Sequence, residues 1–178
     1  MPVANSFASG RAINNEMNFH AESSRKSSAA KQAADWLRDG VRPDVAVTFT
    51  LPVAISFDTG GTKTWVRGDR IRYAAAWDQF IRRLSKRCHP KAYRRFKKLI
   101  PNGATIEGDG DLKRYHLHGF LRLPKGMTFE QLKAAIEWEW MRSGWSMTDV
   151  KIEAITGDWV GYSMKDGPEA LLTGSLSF

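Results

Sequence analysis

The sequence predicts an α+β fold, a central antiparallel β-sheet with helices packed on one face. Three observations carry that expectation. Val45-Ala46-Val47-Thr48-Phe49-Thr50-Leu51 places Val45, Val47, Phe49 and Leu51 on one face of a strand and the threonines on the other. Arg70 to His89 instead repeats Tyr73, Trp77, Phe80, Ile81, Leu84 and Cys88 at spacings of three and four, the stripe of an amphipathic helix. Such stretches follow in the order strand, helix, hairpin, helix, strand, helix, and separated antiparallel strands with helices between them stack as two layers.

Each element has a local reason. Residues 1–28 are rich in Ser, Ala and Asn without a period, so a mobile arm is expected there, with Arg11, Arg25 and Lys26 on a solvated tail. A short helix follows from Ser27 to Arg38, capped by serine and closed by Gly40. The organisation expected is therefore an arm with a short helix over residues 1–40 and a folded domain over 41–178. After the first strand, Val53 to Phe57 and Lys63 to Val66 flank Thr59-Gly60-Gly61, a hairpin signal. Pro90 starts a second short helix ending near Ile100.

Ala104 to Glu107 begins the next strand, and Gly108-Asp109-Gly110-Asp111 turns the chain. The return strand is Lys113-Arg114-Tyr115-His116-Leu117-His118-Gly119-Phe120-Leu121-Arg122-Leu123, stopped by Pro124. Thr128-Phe129-Glu130-Gln131 is a capping box, and the helix behind it runs to about Ser143. Val150, Ile152 and Ala154 alternate with Lys151 and Glu153 as a last strand, and Asp158 to Lys165 makes a short final helix. The tail from Glu169 to Phe178 suits either an edge strand or a partner contact.

Composition bounds the function. A chain of 178 residues with 42% hydrophobic and 26% charged residues suits one globular domain. A net charge of +8 points to a polyanionic partner, nucleic acid first and an acidic membrane surface second. The single cysteine, Cys88, excludes a disulfide framework and reads as buried filler. No apolar run approaches membrane-spanning length and no secretory signal is read, so the cytoplasm is expected.

Arg82, Arg83, Lys86, Arg87, Lys91, Arg94, Arg95, Lys97 and Lys98 fall in one stretch, and no acidic residue occurs between Asp78 and Glu107. Charge of one sign over several turns reads as a surface that tracks phosphates, rather than as a helix laced by its own ion pairs.

The chemistry-bearing residues lie further on. Side chains alternate along a strand, so His116 and His118 share one face while Tyr115, Leu117 and Leu121 share the other. Two imidazoles so spaced can converge on one metal ion, with Leu117 anchored in the core. Two neighbouring surface histidines are the plain alternative, in a chain with only four. On the final helix Tyr162 and Lys165 are three apart and share a face with Trp159, while Val160 and Met164 lie opposite.

With these residues the chain resembles an HUH endonuclease of the replication-initiator (Rep) branch. Val47-Thr48-Phe49-Thr50-Leu51-Pro52 is similar to that family's first motif. His116-Leu117-His118 resembles the His-hydrophobic-His motif, and Tyr162-Ser163-Met164-Lys165 the Tyr-x-x-Lys motif. The continuation Lys165-Asp166-Gly167 resembles the Rep proteins of small circular single-stranded DNA viruses. The hairpin after the first motif departs from those proteins. No second nucleophilic tyrosine stands in the final helix, which matches the single-tyrosine type.

The resemblance implies a ferredoxin/RRM-like HUH fold. It implies nicking and joining of single-stranded DNA through a 5′-phosphotyrosine, at a replication origin that can be a stem-loop, to initiate rolling-circle replication. Tyr162 is then the nucleophile, and Lys165 either aids its activation or holds the phosphate. His116 and His118 bind Mn²⁺ or Mg²⁺. Glu107, on the paired strand, is the candidate third ligand, with Asp109 and Asp111 as rivals. Thr48, Thr50 and Trp159 join the basic run as DNA contacts, with core packing the equal alternative for Trp159. Host replication proteins become further partners, and the compartment is nuclear if the source is a eukaryotic virus. A single-tyrosine transposase shares the motif order. A non-catalytic single-strand-binding module is the alternative from another class.

Overall fold

The computed structural model describes residues 28–108, 113–174 and 176–178. The arm expected over the first residues, with Arg11, Arg25 and Lys26, lies outside them, as do Asp109 and Asp111. The described chain begins in helix α1 (residues 28–41) and continues through strand β1 (Val45–Thr50). A hairpin of β2 (Ala54–Thr59) and β3 (Thr62–Arg67) precedes helices α2 (Arg70–Cys88) and α3 (Pro90–Phe96). Strands β4 (Asn102–Glu107) and β5 (His116–Leu121), helix α4 (Phe129–Met141), strand β6 (Val150–Ala154) and helix α5 (Trp159–Ser163) complete it.

The main sheet has the order β4-β5-β1-β6, and each neighbouring pair is antiparallel. With α2 after β1 and α4 after β5, this is the βαββαβ topology of ferredoxin-like folds. The β2–β3 hairpin forms a separate two-stranded sheet between β1 and α2. The expected α+β architecture is therefore observed, with the two long helices on one face.

That face holds the larger core. Phe49 of β1 stacks on Trp140 of α4, centroids 3.9 Å apart, and meets Phe80 of α2 edge-on at 5.6 Å. Burying side chains of this size stabilises by roughly 1.5–3 kcal/mol each. Gly119 of β5 faces the same way beneath Trp77. A Cβ there would stand 2.5 Å from the indole and 2.7 Å from Val47, so only glycine lets α2 approach this closely. α2 enters beside Pro52, whose carbonyl accepts from the Tyr73 hydroxyl at 2.7 Å. It leaves beside β4, where the Ser85 hydroxyl accepts from the Ile100 N–H at 2.9 Å.

The second face is covered at one end. Ala34, Leu37 and Val41 of α1 are buried with Phe120 of β5 and with Val160 and Met164 of the α5 segment. The boundary drawn after residue 40 thus falls inside a helix whose apolar side belongs to the folded unit. The C-terminal tail lies along β4: Leu172 N–H donates to Ala104 O at 2.8 Å, and Asn102 N–H to Ser177 O at 2.9 Å. It shields the backbone of an edge strand. Among the described residues no helix is long and apolar enough to cross a membrane.

Candidate active site

The strand register assembles the site. Thr50 and Glu107 are the cross-strand partners of His116, and Thr48 and Thr105 those of His118. All six therefore lie on the face opposite α2 and α4. The β4–β5 connection leaves through Gly108 at φ +104°, where a Cβ would collide with the Arg114 carbonyl at 2.5 Å. Glu107 and His116 thus close the ladder side by side.

Helix α5 brings the remaining groups. The Asp158 side chain caps it, accepting from the Gly161 N–H at 2.9 Å and from Arg38 of α1 at 2.7 Å. Val160 and Met164 enter the apolar cluster on this face. Tyr162 points away from that cluster and is 50% exposed. Its ring stands edge-on to His118 at 6.0 Å and beside Trp159 at 5.6 Å.

Lys165 links the two halves. Its Nζ donates to the Tyr162 hydroxyl at 3.3 Å and lies 3.0 Å from Glu107 Oε2. Glu107 Oε2 is also 3.0 Å from His118 Nε2, and Oε1 pairs with Lys113. Glu107 is buried, so its charge is held by partners rather than by water. The groups predicted from three separate stretches of sequence therefore meet at one carboxylate.

Both imidazoles are held neutral. Burial pushes His118 down to about 4, helped by His116, Lys165 and Lys113. Burial also lowers His116, with Lys113 the next cause. Their Nδ1 atoms face threonine hydroxyls: Thr48 Oγ1 is 3.2 Å from His118 and Thr50 Oγ1 is 3.4 Å from His116. Thr48 and Thr50, expected as DNA contacts, thus sit against the imidazoles. Each hydroxyl orients the imidazole it faces.

Two neutral imidazoles and a buried carboxylate on one face are donor types used for divalent cations, the carboxylate favouring the harder ions such as Mn²⁺ and the imidazoles the softer first-row metals. Among the described residues, however, no group of three or more His, Cys, Asp and Glu side chains is gathered as a metal-binding cluster. The His116 and His118 ring centroids are 6.4 Å apart, and the cations Lys113 and Lys165 stand against Glu107. For these three side chains to share one cation they would have to move, and the lysines now beside Glu107 would have to give way.

The basic run is not brought here. α2 starts near Pro52 and ends near Ile100, so its basic half lies at the far end of the sheet and on the other face. Ion pairing also accounts for part of it, contrary to the sequence expectation. Arg82 pairs with Asp78 at 2.8 Å, Arg87 with Glu139 of α4 at 2.6 Å, and Arg83 with the same buried carboxylate at 3.5 Å. For Arg83 and Arg87 the acid comes from another helix, which a reading along one helix does not reveal. Trp159 is half-buried against the α1–α5 cluster, with its indole edge-on to His118 at 6.0 Å.

Two participants went unrecognised in the sequence. Lys113 pairs with Glu107, and Asp149 accepts from Thr50. Lys113 lies only six residues after Glu107, across the hairpin turn, and that spacing was a usable signal. Asp149 is almost a hundred residues from Thr50 and offered none. Compared with known proteins, the chain matches no family model, no curated protein and no solved structure.

Proposed function

We propose that this chain is a single-tyrosine HUH endonuclease that nicks and rejoins single-stranded DNA, initiating rolling-circle replication. One observation supports the reading above the others. The Tyr162 hydroxyl, Lys165, Glu107 and His118 form a continuous chain of contacts of 3.3, 3.0 and 3.0 Å that runs from a half-exposed phenol to a buried imidazole. A half-exposed phenol beside an ammonium is a nucleophile with its charge partner in place.

The step balances simply. The Tyr162 oxygen attacks phosphorus and loses its proton. The P–O3′ bond breaks, and the leaving oxygen gains a proton as a 3′-hydroxyl. The DNA is left as a 5′-phosphotyrosine ester, and attack by a 3′-hydroxyl reverses the step. Lys165 orients the phenol and offsets negative charge as it develops on the oxygen. His116, His118 and Glu107 are the groups that would hold Mn²⁺ or Mg²⁺, which supplies charge to a non-bridging phosphate oxygen. Trp159, with its ring 5.6 Å from that of Tyr162, is the candidate partner for base stacking beside the site.

The test mixes the protein, Mn²⁺ and labelled single strands, and reads a denaturation-resistant adduct whose nucleotide maps to Tyr162. A second reading has its own observation. Glu107 is already engaged by two lysines, which suits a non-catalytic module that only binds single strands. Tight binding with no adduct in any divalent metal selects that reading.

A further inference from the structure

The histidine face leaves the strongest charge on the molecule unused. Lys86 on α2, Lys91, Arg94 and Arg95 on α3, and Lys97 and Lys98 beyond it are all exposed. None of the six is part of the site around Glu107, and the chain between Asp78 and Glu107 carries no acid to offset them. α3 buries no side chain, so it is held out as a ledge beside the end of α2. Helix–sheet packing does not need a ledge of this composition.

Aromatic rings stand among these cations. Phe96 at the end of α3 is 76% exposed, and Trp138 on α4 is 58% exposed. Arg87 lies over the Trp138 ring at 5.6 Å, and Lys97 over the Tyr93 ring at the same distance. Water solvates a lysine well and an exposed indole or phenyl poorly. Cations alone answer the phosphates of any nucleic acid, but exposed rings between them answer unstacked bases, which only a single strand presents. This combination favours a single strand over a duplex.

We propose that the α2–α3–α4 surface is a second single-stranded nucleic-acid site, separate from the Tyr162 face. It lies on the other face of the sheet and at the opposite end from His116, so the nucleotides it holds are not those at the histidines. A longer strand would be gripped at the rear while a different segment lies at the histidines. The proposal needs only a nucleic-acid partner and not the chemistry proposed for Tyr162.

The test uses the full chain in EDTA, where no metal-dependent cutting occurs, and an oligothymidylate of about 12 nucleotides. A 5-iododeoxyuridine at each position in turn allows ultraviolet cross-linking to neighbouring rings. Cross-links are expected in the peptides carrying Phe96 and Trp138. Reversing Arg94, Arg95 and Lys98 together to glutamate should abolish those cross-links. It should also flatten log affinity against log salt by roughly 0.7 for each lost contact. Phe96→Ala and Trp138→Ala should each weaken single-strand binding about tenfold and leave duplex binding unchanged. Cross-links confined to the peptide around Trp159 and Tyr162 overturn the proposal. So does a duplex bound as tightly as the single strand with both ring variants neutral. Absence of a covalent adduct in Mn²⁺ would count against the nicking reading alone, because every measurement here is made without cleavage.

Discussion

The Thr50 hydroxyl donates to Asp149 Oδ2 at 3.0 Å. Its one proton is thereby committed, so the oxygen it turns to His116 Nδ1, at 3.4 Å, is an acceptor. Nδ1 then carries the imidazole proton and Nε2 keeps its lone pair, the form a metal ion requires. His118 differs: Glu107 accepts at its Nε2, so in this arrangement Nδ1 accepts from the Thr48 hydroxyl. Thr48 can donate or accept, and so permits either tautomer of His118.

Replacing Thr50 by valine keeps the shape and removes the relay. Mn²⁺ affinity is expected to fall 10–100-fold, the order found for partners standing behind metal ligands. Calorimetric titration with Mn²⁺ measures it without reference to cleavage. Equal affinity in wild type and Thr50→Val would remove Thr50 from the site's function.

Tyr162→Phe deletes one oxygen from a half-exposed ring. Stability should stay within about 0.5 kcal/mol of wild type. Adduct formation and rejoining should vanish together, because both pass through the same ester. Denaturing gels with labelled oligonucleotide report both. A covalent adduct persisting in the variant would move the nucleophile elsewhere.

Gly119→Ala is a test of packing alone. The added methyl meets the Trp77 ring and Val47 well inside van der Waals distance. Overpacking of this kind costs about 1–3 kcal/mol. For a domain of this length that lowers Tm by about 2–4 °C for each kcal/mol. An unchanged melting curve would mean that α2 is free to shift on the sheet.

The Asp158 carboxyl is held below its ordinary value, first by the Arg38 hydrogen bond and next by the Gly161 N–H. A carboxyl that titrates lower when folded stabilises the fold in full above its unfolded value, near 4. That contribution fades as pH falls through the folded value. Asp158→Ala is expected to cost about 1 kcal/mol at neutral pH, through loss of the helix cap. The exposed ion pair itself contributes little. Chemical denaturation of wild type and variant should show the difference shrinking below about pH 4. A constant difference across that range would assign the effect to packing rather than to the charge.

The sequence alone determined which face each strand residue takes, because alternation is local. It puts Thr48 and Thr50 on the side of β1 away from Val47 and Phe49, and His116 and His118 on the side of β5 away from Leu117. It likewise determined α2 and α4 from their stripes, the capping box at Thr128, and the three-residue spacing that sets Lys165 beside Tyr162. Only the tertiary structure decided what those faces meet. Strand order puts Glu107 between His118 and Lys165, and no local period encodes strand order. Packing makes Gly119 the seat of Trp77, and docking turns α1 into part of the fold through Leu37 and Val41. The basic run shows the division most plainly. Its charge is legible residue by residue, but its pairing with Glu139 and its distance from Tyr162 depend on contacts between segments far apart in the chain.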